Sequence, residues 1–204
     1  QNLARPPRTE RYEAGDRLTF ACRGVAPATE ASVTVEIDKF VGGGFAGQVY
    51  RVDVVAVEGG EIAGLTVGGQ YAMKLLIPPS DSARRFRDAI YKLGFQGDFS
   101  LQVNPDAARA GALWQKLIRR GASLVFGDER AVRDVLVTFV DDDLGTCGEI
   151  SEWIEGRTWR YEVDDHLDVR SRHMRGREVD EHLLGSPEYR TWKRFMHRFV
   201  ELLH

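Results

Sequence analysis

The sequence predicts an α+β fold: an antiparallel β-sheet with one or two helices packed on it, followed by C-terminal helices. Residues 33–77 are rich in β-branched residues and divided by glycine pairs, which is typical of strands joined by tight turns. Two helix-type stretches follow, at 81–93 and about 105–120, and a strand-type run then covers residues 132–140. The last segment, from Pro187 to His204, repeats large apolar residues at helical spacing.

Three parts follow from this reading. Residues 1–32 form an arm rich in Pro, Arg and Ala, with one possible short strand at Arg17 to Cys22. Residues 33–157 hold the predicted strands and both helix candidates, and residues 158–204 form a helical segment.

Turn and capping residues support the individual elements. The pairs Gly59-Gly60 and Gly68-Gly69 predict two turns, with an extra segment between them. Asn104-Pro105-Asp106 supplies a cap and a proline for the start of the second helix. The carboxylates at 141–143 could bind a metal, but the solvated tip of a hairpin is the favoured interpretation.

Composition limits the class of protein. The 204 residues are 43% hydrophobic and 29% charged, typical of a globular protein, and the net charge of −3 does not favour nucleic-acid binding. The apolar runs are too short for a membrane span or a signal peptide. Cys22 and Cys147 have no framework or metal spacing, so we expect free thiols and a cytoplasmic location. Arginine strongly outnumbers lysine, which suggests a GC-rich bacterial source.

A glycine-rich stretch, Gly42-Gly43-Gly44-Phe45-Ala46-Gly47-Gln48-Val49, is the most specific motif. Its G-x-G-x-x-G pattern also occurs in dinucleotide-binding folds, where a helix follows the glycines. Here residues 49–57 are β-branched instead, and the strand–glycine–strand order favours a hairpin whose backbone N–H groups bind phosphates.

Lys74 is the second signal, because it is one of five lysines and lies within an apolar strand-type run. Strand alternation places Ala72, Lys74 and Leu76 on one face, where a small residue and a cation suit a ligand with a flat ring and a charged tail. The alternative is a lysine that extends from an edge strand into solvent.

In these motifs the chain resembles the N-terminal, ATP-binding lobe of the protein-kinase-like superfamily, over about residues 33–204. Gly42, Gly44, Gly47 and Val49 match the glycine-rich loop, and Ala72-Met73-Lys74 matches the A-x-K signature of the third strand. Residues 149–157 look like the fifth strand and the hinge.

The resemblance implies roles for these residues. Lys74 would bind the α- and β-phosphates of ATP as the catalytic lysine, and the glycine hairpin would cover them. Val49 and Ala72 would cover the adenine, Ser151 would be the gatekeeper, and the backbone of Glu152 and Ile154 would bind the adenine edge. ATP and Mg²⁺ are the implied cofactors, with no metal ligands assigned in this chain.

The sequence also departs from the family. Neither helix candidate contains the glutamate that pairs with the strand lysine, and Asp88, Gln115 and Glu129 are the nearest substitutes. Asp98-Phe99-Ser100 and His166-Leu167-Asp168 imitate catalytic motifs, but their positions in the chain argue against both. The histidines at 166, 173 and 182 lack metal-ligand spacing, and a charged exposed helix is the favoured interpretation.

The segment from residue 187 resembles the kinase helix that precedes the catalytic loop. We therefore expect the chain to be an incomplete part of a phosphotransferase, with the rest of its polypeptide or a partner protein as its neighbour and with possible self-association. Three functions stay open: the ATP-binding lobe of a serine/threonine-type kinase, a pseudokinase that acts as a regulatory interaction module, and a non-kinase domain whose glycines are only turns.

Overall fold

Six strands close into an antiparallel barrel in the computed structural model of the chain. The structure describes residues 11–44, 47–76, 89, 92, 105–127, 132–141, 146–155 and 187–203. The strands are β1 (Arg17–Gly24), β2 (Glu30–Gly44), β3 (Gly47–Glu58), β4 (Gln70–Leu76), β5 (Val135–Asp141) and β6 (Thr146–Glu152). Their order around the barrel is β1-β2-β3-β4-β6-β5, and β5 pairs with β1 to close it.

Alternation of side chains fills the barrel interior. On β4, for example, Tyr71, Met73 and Leu75 are buried, while Ala72 and Lys74 between them are partly exposed. Because a strand directs successive side chains to opposite faces, β4 contributes every second residue to the core. The fully buried members include Val33, Val35, Ile37, Tyr50, Val52, Met73, Val137 and Ile150.

Closure of the sheet makes the predicted fold class wrong. The sequence predicts a kinase-like antiparallel sheet with one or two helices packed on it, but the sheet closes on itself and its own side chains form the core. The physical reason is β1, which pairs with both β2 and β5 and stacks Phe20 on Phe139 with 4.2 Å between ring centroids. The short strand expected in the N-terminal arm is therefore a full member of the barrel.

Within the described ranges, two long helices accompany the barrel, α1 (Pro105–Phe126) and α2 (Pro187–Leu203). Proline in the first turn of each suits a helix start, and Gly127, with φ of +71°, ends α1 by donating its N–H to the carbonyl of Ser123. Only Ala112 and Ala122 of α1 are buried, which is why the helices add little to the core. No helix among the described residues is long and apolar enough to cross a membrane.

Most element predictions agree with the structure. The strands within residues 33–77, the glycine turns and the helices from Pro105 and Pro187 are all present. The expected strand at 132–140 begins at Val135, and the strand leading to the hinge is Thr146–Glu152. The helix candidate at 81–93 lies outside the described residues, apart from Ala89 and Lys92, which are helical.

Candidate functional site

The outer face of β2, β3, β4 and β6 brings five predicted site residues together in two neighbouring rows. Directly paired residues share a face, so the register defines each row. The first row runs Gly42, Val49, Lys74 and Glu149 across the four strands. The second runs Lys39, Arg51, Ala72 and Ser151. The glycine hairpin, the lysine and the small residues Ala72 and Ser151 therefore occupy one continuous surface.

The fold requires some glycines of the hairpin but not others. Gly47 has φ of +144°, and a Cβ there would overlap the carbonyl oxygen of Leu75, so the fold alone demands glycine. A Cβ on Gly42 would meet nothing within 4 Å. Glycine weakens a strand interior by about 0.5–1 kcal/mol relative to alanine, and no packing within the described structure requires it at Gly42. Gly44 pairs with Gly47 at the end of the hairpin.

Lys74 is half-buried on the outer face, directly opposite Val49 on one side and Glu149 on the other. The Cβ atoms of such opposite residues lie about 4.5–5.5 Å apart. Within the part of the chain that the structure describes, the ion pairs do not include Lys74. Its ammonium group is thus available on the face that the glycine hairpin borders.

Arg133 occupies the β6 side of this surface. Its guanidinium donates to the Glu149 carboxylate and, at 2.9 Å, to the Ser151 hydroxyl, which is fully buried. The Ser151 hydroxyl in turn lies 3.4 Å from the carbonyl oxygen of Ala72. The predicted gatekeeper is therefore a small side chain held beneath an arginine.

Arg51 closes the end of the surface beside Ala72. It forms an ion pair with Asp38, lies 3.8 Å from the Glu155 carboxylate, and stands over the Trp153 ring at 5.6 Å from its centroid. The hydrogen bond from Arg51 holds the pKa of Asp38 below its usual value, and the same bond raises the pKa of Arg51. Asp38 and Arg51 therefore both stay charged at neutral pH.

The two predicted hinge residues have different environments. Glu152 ends β6, and its backbone N–H donates to the Asp134 carbonyl at 2.9 Å, while its carboxylate accepts from Arg119 and from the Asp134 N–H at 2.8 Å each. Its side chain is therefore committed to holding α1 and the chain before β5. Ile154 lies just beyond the strand with its side chain 53% exposed.

None of the predicted partners of Lys74 is shown beside it. Gln115 of α1 donates instead to the Arg133 carbonyl at 3.4 Å, and Asp88 and Glu129 lie outside the described residues. The two imitation motifs and the three histidines at 166–182 also lie outside them. In the described ranges, no group of three or more metal-ligating side chains occurs.

Sequence reasoning missed the roles of Arg51, Arg133, Trp153 and Glu149. Glu149 had a usable signal, since alternation from Ser151 places it on the same face two residues earlier. The cross-strand register that sets it opposite Lys74 could not be read from the sequence.

Cys22 and Cys147 are buried free thiols on β1 and β6. Burial raises the pKa of Cys22 to about 12 and that of Cys147 to about 11, so both are neutral and unreactive at physiological pH. Cys22 belongs to the barrel core, whereas alternation from Glu149 and Ser151 places Cys147 on the outer face, opposite Leu76, where it is fully buried.

Comparison with known proteins adds no relative: no protein-family model, curated protein or solved structure matches this chain.

Proposed function

We propose that the outer face of β2, β3, β4 and β6 binds ATP, and that the chain is the nucleotide-binding part of a bacterial protein-kinase-like phosphotransferase. The observation that carries the proposal is the row formed by Gly42, Val49 and Lys74. In this row, a glycine with free space in place of a side chain lies beside a small apolar side chain, and a cation follows. A nucleotide needs such neighbours, because its phosphates require a cation and its base requires an apolar surface.

The physical fit is specific. A strand that carries glycine without a Cβ contact lets a ligand approach its backbone, and Lys74 supplies a positive charge one strand further on. Ala72 and Val49 are partly exposed on the same face and offer an apolar surface for a purine ring. Mg²⁺ would arrive bound to the nucleotide, and the described residues supply no ligand set for it, so no step is assigned to it.

The decisive experiment is calorimetric titration of ATP–Mg²⁺ into the longest natural chain that contains these residues, for wild type and Lys74→Ala. Lys193→Ala, on an exposed position of α2, is the matched control because it removes the same charge elsewhere. We expect the Lys74 variant to lose about tenfold or more in affinity, or about 1.4 kcal/mol, and the control to bind as wild type. Equal binding by both variants, or none by wild type, would overturn the proposal.

A regulatory module without phosphotransfer is the second candidate. The specific observation is that α1 directs Gln115, Lys116 and Arg119 toward β5 and β6, and Asp106 is the only acidic residue in its sequence. No carboxylate from this helix reaches Lys74. Transfer of labelled γ-phosphate to water or protein, measured on the same chain, separates the two: ATP binding without any transfer supports the regulatory module.

Location and partners follow from the same proposal. An ATP-dependent activity with two unreactive free thiols belongs in the cytoplasm. The chain's remaining polypeptide, a partner protein or a second copy is the expected neighbour, because α1 and α2 expose large apolar side chains. These include Trp114, Leu117, Leu124, Val200 and Leu203.

A further inference from the structure

Glu149 lies between two cations. It pairs directly with Lys74 across β4 and β6, and in the structure its carboxylate accepts a hydrogen bond from Arg133. The Glu149 side chain is only 17% exposed and that of Arg133 is 34% exposed, so water screens their interaction less than at the surface. Arg51 and Ser151 are the diagonal neighbours of Lys74, and Arg51 is already paired with Asp38. Glu149 is therefore the nearest carboxylate for Lys74 by register.

Helix α1 sets the position of Arg133. Gln115 donates to the Arg133 carbonyl, Lys116 contacts the Asp134 carboxylate at 2.5 Å, and Arg119 donates to the Val132 carbonyl. Three side chains of one helix thus hold three consecutive residues, 132–134. A shift of α1 would therefore move the backbone that carries Arg133.

We propose that Glu149 is a shared carboxylate for which Arg133 and Lys74 compete, and that α1 regulates the site through Arg133. With Arg133 in place, the carboxylate is held on the β6 side and Lys74 remains available to a phosphate. When Arg133 withdraws, Glu149 pairs with Lys74, which restrains its ammonium group and neutralises its charge. Only the consequence for nucleotide binding rests on the proposed function; the competition itself does not.

The NMR signals of Lys74 report the competition without any nucleotide. The chain has five lysines, so ¹³C-dimethylation followed by NMR titration gives a small set of assignable signals. Three variants are needed: Arg133→Gln, Glu149→Gln and the double variant. Arg133→Gln frees the carboxylate, and we expect the Lys74 signals to move from their wild-type positions, because Glu149 then contacts the Lys74 ammonium group.

The double variant makes the test decisive. If Arg133 acts through Glu149, the Arg133→Gln shift disappears when residue 149 is already glutamine. An unchanged Lys74 in Arg133→Gln, or the same shift in both backgrounds, overturns the proposal. Arg17→Gln, which breaks the exposed Arg17–Glu36 pair on β1 and β2, is the control that leaves Lys74 unmoved. Circular dichroism on each variant verifies that the barrel is folded.

ATP titration of the same variants separates this proposal from the proposed function. We expect Arg133→Gln to bind ATP several-fold more weakly than wild type, and the double variant to recover most of that loss. If the Lys74 signals shift as expected but ATP does not bind, the nucleotide site is refuted and the shared-carboxylate proposal stands. If ATP binding depends on Lys74 but the Lys74 signals do not shift, only the shared-carboxylate proposal is refuted.

Discussion

At the residue scale, the two glycines of the hairpin have separable roles. Gly47 serves the fold, because its φ of +144° and its contact with the Leu75 carbonyl exclude a side chain. Gly42 has open space where a Cβ would stand. The glycine motif therefore combines one position that the fold requires to be glycine with one where packing among the described residues leaves room for a side chain.

Substitution by alanine tests this separation. We expect Gly47→Ala to lower the free energy of unfolding by about 1–3 kcal/mol, because alanine disfavours that backbone conformation. Gly42→Ala should leave stability unchanged or raise it by about 0.5–1 kcal/mol. Urea unfolding gives both values. If Gly42 borders a bound triphosphate, its alanine variant also weakens ATP binding at unchanged stability, and undiminished ATP affinity would remove Gly42 from the site.

The buried thiols predict a loss of stability in alkaline solution. The pKa values of Cys22 and Cys147 are raised in the folded state, so their contribution is complete below the unfolded pKa near 9 and is lost as pH rises through about 11 for Cys147 and about 12 for Cys22. Over that window each thiol lowers the free energy of unfolding by up to about 1.4 kcal/mol per pH unit.

Thermal melts from pH 8 to pH 11 measure this slope. A Cys22→Ala/Cys147→Ala variant starts from a lower melting temperature, because it removes buried sulfur, but its melting temperature should fall less steeply with pH. If the melting temperatures of the wild type and the double variant fall equally steeply with pH, the thiols either stay protonated in the unfolded chain or ionise in the folded one.

At the element scale, α1 is attached to the barrel by polar contacts more than by apolar burial. Arg109 donates to the carbonyls of Arg23 and Val25 and to the Thr138 hydroxyl, at 3.0–3.3 Å, and burial lowers its pKa without removing its charge. Arg119 donates to Glu152 and to the Val132 carbonyl. Such bonds depend on geometry, so the position of α1 is set by a few side chains.

Arg119→Met should therefore loosen α1 while preserving its helical propensity. We expect a loss of about 1–3 kcal/mol in the free energy of unfolding, because the Val132 carbonyl and the half-buried Glu152 carboxylate each lose the hydrogen bond that Arg119 donates. Arg120→Met, one residue on and exposed, is the matched control and should change stability little. Equal losses in chemical denaturation would mean that Arg119 does not hold the helix.

At the scale of the whole molecule, closure by β1 removes both edges of the sheet. Without β1, the hydrogen-bonding groups of β2 and β5 that now face it would be unpaired, which favours association between chains. The Phe20–Phe139 stack would also be lost.

Two truncated chains test this dependence. A chain that begins at residue 11 keeps Tyr12 and β1 and should unfold cooperatively, whereas one that begins at residue 28 should aggregate or lose cooperative unfolding. Sedimentation velocity and denaturant melts distinguish them. A monomeric, cooperative chain from residue 28 would show that the open sheet is stable alone.

Phe20→Ala in the longer chain should lower the free energy of unfolding by about 3–5 kcal/mol.

Local pattern determined much of this protein. The period-two alternation around Lys74, the glycine pairs at the turns, and the proline-initiated helices were readable because they depend on near neighbours in the chain. The same patterns placed Ala72 with Lys74 on one face. They gave no information about which strand lies beside which.

Tertiary structure decided the closure of the barrel and the surroundings of Lys74. Pairing of β1 with β5 joins residues more than a hundred positions apart, and no local signal in Arg17–Gly24 specifies that partner. The same holds for Glu149, whose position opposite Lys74 depends on the β4–β6 register, and for Arg133, which α1 holds in place. The sequence by itself determined which side chains share a strand face, and long-range pairing decided which charges meet there, because alternation is local and register is not.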